Sequence, residues 1–73
     1  MTFTILPGKL LVDGISDETR GRYVSIELAI LRKIGSLKHD PITDGASMLS
    51  FSHERTDDVI AVLKTFSITP EIV

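Results

Sequence analysis

Apolar residues recur along the chain with two different periods, and the change of period marks out the elements. From Phe3 to Val12 the segment is rich in Leu, Ile, Val and Phe and is broken only at Pro7-Gly8. It predicts one strand interrupted at that dipeptide, or two short strands. Pro7 has no N–H to give to a ladder, so the break is a turn or a bulge, on an edge or a bend of a sheet. From about Asp17 to Ile34 the period becomes helical. Tyr23, Ile26, Ile30 and Ile34 form one row, and Val24, Leu28 and Leu31 form an adjacent one. Together the rows predict a broad apolar face packed on a sheet. Ser16 is the expected N-cap, with Asp17 and Glu18 behind it where the helix dipole favours carboxylates. Arg32 and Lys33 fall in the last turn, and Gly35 is the expected residue just past it. Gly21 costs the first turn up to ~1 kcal/mol relative to Ala, which favours fraying or a late start.

Residues 36–53 return to a period of two. Ser36-Leu37-Lys38-His39-Asp40-Pro41-Ile42 is a short polar strand, Thr43-Asp44-Gly45 carries an Asp-Gly turn signal, and Ala46 to His53 alternates. Leu49 and Phe51 lie on one face of that strand, with Met48, Ser50 and Ser52 on the other. Thr56 is expected to cap a second helix, with Asp57 and Asp58 in its first turn. Val59, Ile60, Val62, Leu63 and Phe66 supply its buried side. Ser67 to Val73 is a final strand that Pro70 places on an edge or ends. The sum predicts an α+β, ferredoxin-like β-α-β-β-α-β sandwich. In it two helices cover one face of a four-stranded antiparallel sheet, and the other face is open to solvent or to a partner.

Length and charge narrow the functions. Residues 1–73 make one domain. A chain of this size buries only roughly 60% of its unfolded surface, so association with a partner is a natural source of further stability. With no cysteine, disulfides and thiolate zinc sites are excluded, and a reducing cytoplasm is the expected location. A net charge of −2 argues against a nucleic-acid surface. No apolar run approaches the ~20 residues of a membrane span, and the amino terminus lacks the basic region of a signal peptide.

Several short motifs, in order, resemble the heavy-metal-associated domain family, in its divergent cysteine-free branch. Leu6-Pro7-Gly8-Lys9-Leu10-Leu11-Val12 resembles that branch's Pro-Gly-Arg-Leu opening strand. Gly14-Ile15-Ser16 is similar to the Gly-Met-Thr that begins the metal loop, and Ile34-Gly35-Ser36-Leu37 to the Pro-Gly-Val after the first helix. Asp40-Pro41-Ile42-Thr43 with Gly45 resembles the Asn-Pro-x-Thr-Gly hairpin, and Thr56 to Phe66 with Pro70-Glu71 the second helix and last strand. The resemblance implies a small metal-carrier fold. Carriers of this family hold Cu(I) between two loop thiolates, and soft thiolates are what select that ion. Here the degenerate metal-loop positions are Ser16, Asp17 and Arg20. A carboxylate is a hard ligand and a guanidinium is none, so the loop is not expected to carry copper.

Other residues are candidates for chemistry. His39 and His53, one on each hairpin strand, would form an N/O metal site with Asp40 or Glu54 if they met across the hairpin. Against this stand two unrelated polar side chains. Asp13, Asp17, Asp57 and Asp58 sit where helix capping already accounts for carboxylates. Lys9, Arg20 and Arg22 would make an anion site near the first helix, but the acyl-phosphate hydrolases of this fold also need an asparagine, and the chain has none. The open face, with Met48, Ser50 and Ser52, lacks the aromatics of an RNA-recognition sheet and stands as a contact surface. The expectation is a non-catalytic protein-interaction or regulatory module, without cofactor, binding a protein partner or itself. The alternative is a metal-binding or metal-homeostasis protein using His and carboxylate ligands. These separate on the double substitution of His39 and His53 by Ala. A third reading is a small anion-binding module at the Ser16 helix terminus.

Overall fold

The structure, a computed structural model, describes all of residues 1–73. The strands are β1 (Thr2–Leu6), β2 (Lys9–Asp13), β3 (Lys38–Thr43), β4 (Ala46–Ser50) and β5 (Glu71–Ile72). The helices are α1 (Arg20–Ile34) and α2 (Thr56–Thr65), the second preceded by a 3-10 turn at His53–Arg55. The sheet order is β3-β4-β2-β1-β5. All neighbours are antiparallel except β1 and β5, which are parallel.

This corrects the expected sheet, which had four antiparallel strands. Pro7-Gly8 is a turn, and the opening segment is two strands. Leu6 pairs with Lys9, so the loop is the two residues Pro7 and Gly8. Pro at the first loop position and Gly8 at φ +76 at the second form the type II pattern. The turn is anchored from outside its hairpin: Gly8 donates its N–H to Thr56 Oγ1 at 3.2 Å and accepts the Phe51 N–H at 2.9 Å. The extra strand β1 stands between β2 and the last strand. Without it the remaining order, β3-β4-β2-β5, keeps β2 and β3 parallel to one another and antiparallel to β4 and β5.

Alternation sorts the two faces. Phe3, Ile5, Leu10, Val12 and Leu49 point to the helices and join Tyr23, Ile26, Ile30, Val59, Val62 and Leu63 in one buried cluster. Phe51, beyond the end of β4, packs on its margin with Ile34, Ile60 and Phe66. Thr4, Leu11, Met48 and Asp40 run in register across the opposite face.

The first helix begins at Arg20, not at Asp17, with Thr19 in the cap position. Ser16 does not cap it. Its N–H instead donates to Thr19 Oγ1 at 2.8 Å, and its carbonyl accepts the Thr19 N–H at 3.1 Å, closing a turn ahead of the helix. The cap of α2 is likewise displaced. Arg55 holds the cap position, and Thr56, the first helical residue, donates its hydroxyl to the His53 carbonyl at 2.7 Å. Gly35 ends α1 as expected, at φ +80 with its N–H on the Leu31 carbonyl.

The helices are antiparallel and tied at both ends. Arg22, in the first turn of α1, donates Nη2 to the Phe66 carbonyl at the end of α2 at 2.7 Å. Arg55 donates Nη2 to the Lys33 carbonyl in the last turn of α1 at 3.1 Å. Each guanidinium thus meets the partly negative end of the other helix.

Candidate functional site at the β3 flank

Helical rows fix which side of α1 faces what. At 3.6 residues per turn, successive side chains rotate by about 100°. Ile26, Ile30 and Tyr23 point into the core. Arg22 and Lys33 lie toward α2, as their bonds show. Glu27 lies on the other side, toward β3, where its Oε1 accepts the Tyr23 hydroxyl at 3.2 Å and stands 3.9 Å from His39 Nδ1. Beyond Glu27 around the helix come Leu31 and Val24 on the β3 side, and then Leu28, which points away from the sheet. The expectation that this row packs on the sheet is overturned: the three side chains remain 43, 44 and 38% exposed. The sheet has room for one row, and Tyr23, Ile26 and Ile30 occupy it.

The strand that Glu27 reaches, β3, is one of the two edges of the sheet. Every residue of β3 is exposed, Ile42 at 52% included. Its register shifts between Pro41 and Thr43, which leaves Ile42 in a bulge.

A cleft of about 460 Å³ opens between β3 and the start of α1, of the size small ligands use. Its floor is Tyr23, His39 and Ser47, and its rim carries Asp17, Arg20 and Asp44. The Ile15 N–H donates to the Gly45 carbonyl at 2.9 Å, tying the loop before α1 to the hairpin turn and closing that end. His39 faces the core side of β3 because it pairs with Leu49. Its Nε2 shares a hydrogen bond with Ser47 Oγ at 3.1 Å, and its ring lies 6.2 Å from that of Tyr23, tilted by 51°. Burial pushes the Tyr23 phenol above its ordinary value. The Ser47 hydroxyl pulls it back in part, and the charge and hydrogen bond of Glu27 push it up again.

Ser47, His39 and Glu27 have the residue types of a nucleophilic relay. Ser47 is nearly buried on a strand paired on both sides, to Val12 and to Pro41. The β4 N–H groups are therefore committed to ladders, and the strand has no free pair to hold an oxyanion. The 3.9 Å gap from Glu27 to His39 also exceeds a hydrogen bond. The polar trio suits support of the sheet edge better than acyl transfer.

The structure brings Asp17 and Arg20 to one cleft with His39, a grouping that sequence reasoning missed. Ser16 stays in the turn beside them, and Arg20 makes no ion pair. Histidines 39 and 53 are not brought together. His39 pairs with Leu49, so four residues of chain, roughly 13 Å if extended, separate that position from His53. His53 starts the 3-10 turn beside Gly8. No three His, Asp or Glu side chains converge as a metal site. Lys9, Arg20 and Arg22 are dispersed: Lys9 pairs with Leu6 and Ser50 on the open face, and Arg22 is bound to α2. Met48 and Ser50 lie half-buried on that open face, while Ser52 is exposed beyond the strand. No helix is long and apolar enough to cross a membrane. No protein-family model, curated protein or solved structure matches the chain.

Proposed function

We propose that the chain is a non-catalytic protein-interaction or regulatory module that works through the flank formed by β3 and the outer row of α1. The observation that carries this is the exposed pair Val24 and Leu31, on the flank of α1 that brings Glu27 to His39, together with the unpaired edge of β3. An apolar row next to unpaired N–H and C=O groups offers a partner both burial and hydrogen bonds. The open face with Met48, Ser50 and Ser52 is the lesser surface, since its large apolar side chains Leu11 and Met48 are less exposed than Val24 and Leu31. In the same reading the sheet is a ferredoxin-like arrangement with β1 inserted, and the chain is a cysteine-free relative of the heavy-metal-associated domains. The order of motifs, with Asp17 and Arg20 at the strand-to-helix junction, supports that relation. The hard-ligand metal alternative lacks comparable support, because its histidines are apart.

Capture of partners by the tagged chain tests the surface. Leu31→Lys is expected to abolish capture while Met48→Lys on the open face preserves it. The reverse pattern would move the contact surface to the open face and overturn the reading.

A further inference from the structure

The β3 flank is complementary to itself. We propose that its partner is a second copy of this chain, paired antiparallel through β3 about a two-fold axis at His39. This rests on the contact-surface reading above and names its partner.

The face rule and the charges select the register. Residues opposite one another in a sheet point to the same face. Lys38 and Asp40 point to the open face, opposite Ser50 and Met48, while His39 and Pro41 point to the helix side. A two-fold that keeps all helices on one side must therefore pass through a residue, not between two. An axis at Lys38 sets that lysine against its own copy, and an axis at Asp40 does the same with a carboxylate; like charges directly opposite repel. An axis at Pro41 centres the pairing on a residue with no N–H, next to the bulge at Ile42. Only the axis at His39 puts Lys38 opposite the partner's Asp40, twice. Within one chain these side chains already stand 3.9 Å apart, so the pair becomes a four-charge cluster of alternating sign.

The helix side agrees with the same axis. Glu27 reaches His39, so the middle of α1 lies level with it. Val24 and Leu31, exposed on the flank that carries Glu27, lie about one helical turn before and after it. The two-fold sets that flank of each α1 facing its copy. Pro41 and the bulge blunt only the far half of β3. Burial is also scarce in the single chain, with 16 of 73 residues buried, which leaves room for stabilisation by association.

Sedimentation equilibrium of the full chain over a wide concentration range tests this. The expected result is an average mass rising from 8.0 kDa toward twice that value. Lys38→Asp and Asp40→Lys are each expected to weaken association about tenfold, by turning two attractions into repulsions. An equimolar mixture of the two variants should restore it, since each supplies the charge the other needs. Leu31→Lys should leave a folded monomer, checked by circular dichroism. A wild-type chain that stays monomeric, or a mixture that associates no better than the single variants, would overturn the proposal. A monomer whose capture of other proteins still falls with Leu31→Lys would sink the second copy alone. Capture indifferent to Leu31→Lys would sink the contact-surface reading itself.

Discussion

At the residue scale two glycines carry opposite expectations. Gly8 sits at φ +76, and a Cβ there would lie 3.0 Å from the Phe51 carbonyl oxygen, a backbone atom. Gly8→Ala is expected to cost about 1–3 kcal/mol, read as a lower denaturant midpoint. Gly21 is helical with nothing within 4 Å of its built Cβ, so Gly21→Ala should stabilise by up to ~1 kcal/mol in the same assay. Tyr23 allows a cleaner reading, because it is the only tyrosine and the chain has no tryptophan. Its phenolate absorbance should titrate with a midpoint above 10.0. The folded state holds this proton more tightly than the unfolded one. The associated stability is therefore complete below the unfolded value near 10 and is lost as pH rises through the raised folded value. Tyr23→Phe should flatten that alkaline limb of the stability profile. The importance of Gly8 was half legible, since Pro-Gly marks a break but does not say whether turn or bulge. The cleft was not legible: Asp17 and Arg20 are near one another, but His39 is far along the chain from both and joins them only through the β3 register.

At the element scale the helical period was readable but its depth of burial was not. Two apolar rows on α1 predict one broad face, and only tertiary packing decides that Tyr23, Ile26 and Ile30 go in while Val24, Leu28 and Leu31 stay out. Stability should divide accordingly. Ile30→Ala is expected to cost about 2–4 kcal/mol, and Leu28→Ala, measured by denaturation in dilute solution, under about 1 kcal/mol. Ser16 and Thr56 do not cap because each is committed elsewhere: Ser16 closes a turn with Thr19, and the Thr56 hydroxyl serves the His53 carbonyl and the distant Gly8 N–H. The two arginine ties between helices have no sequence signal at all. Removing one, as in Arg22→Ala, leaves the Phe66 carbonyl to water and should cost about 1 kcal/mol.

At the scale of the whole molecule the order of elements was largely legible and the strand order was not. The sequence pattern places each strand and helix in turn, but inserting β1 between β2 and β5 depends on pairing across the full length of the chain. That insertion leaves β3 as one edge of the sheet, six residues long, against two for β5 at the other. The longer edge is therefore the one a partner strand would meet, and it lies on the side of α1 that carries Glu27, Val24 and Leu31. Amide hydrogen exchange across a dilution series tests this most directly. Exchange at β3 and along the outer side of α1 should slow as concentration rises, while β5 and the open face of β1 and β2 keep one rate throughout. Protection that grows at β5 or the open face, with β3 unchanged, would contradict the assignment of the contact surface.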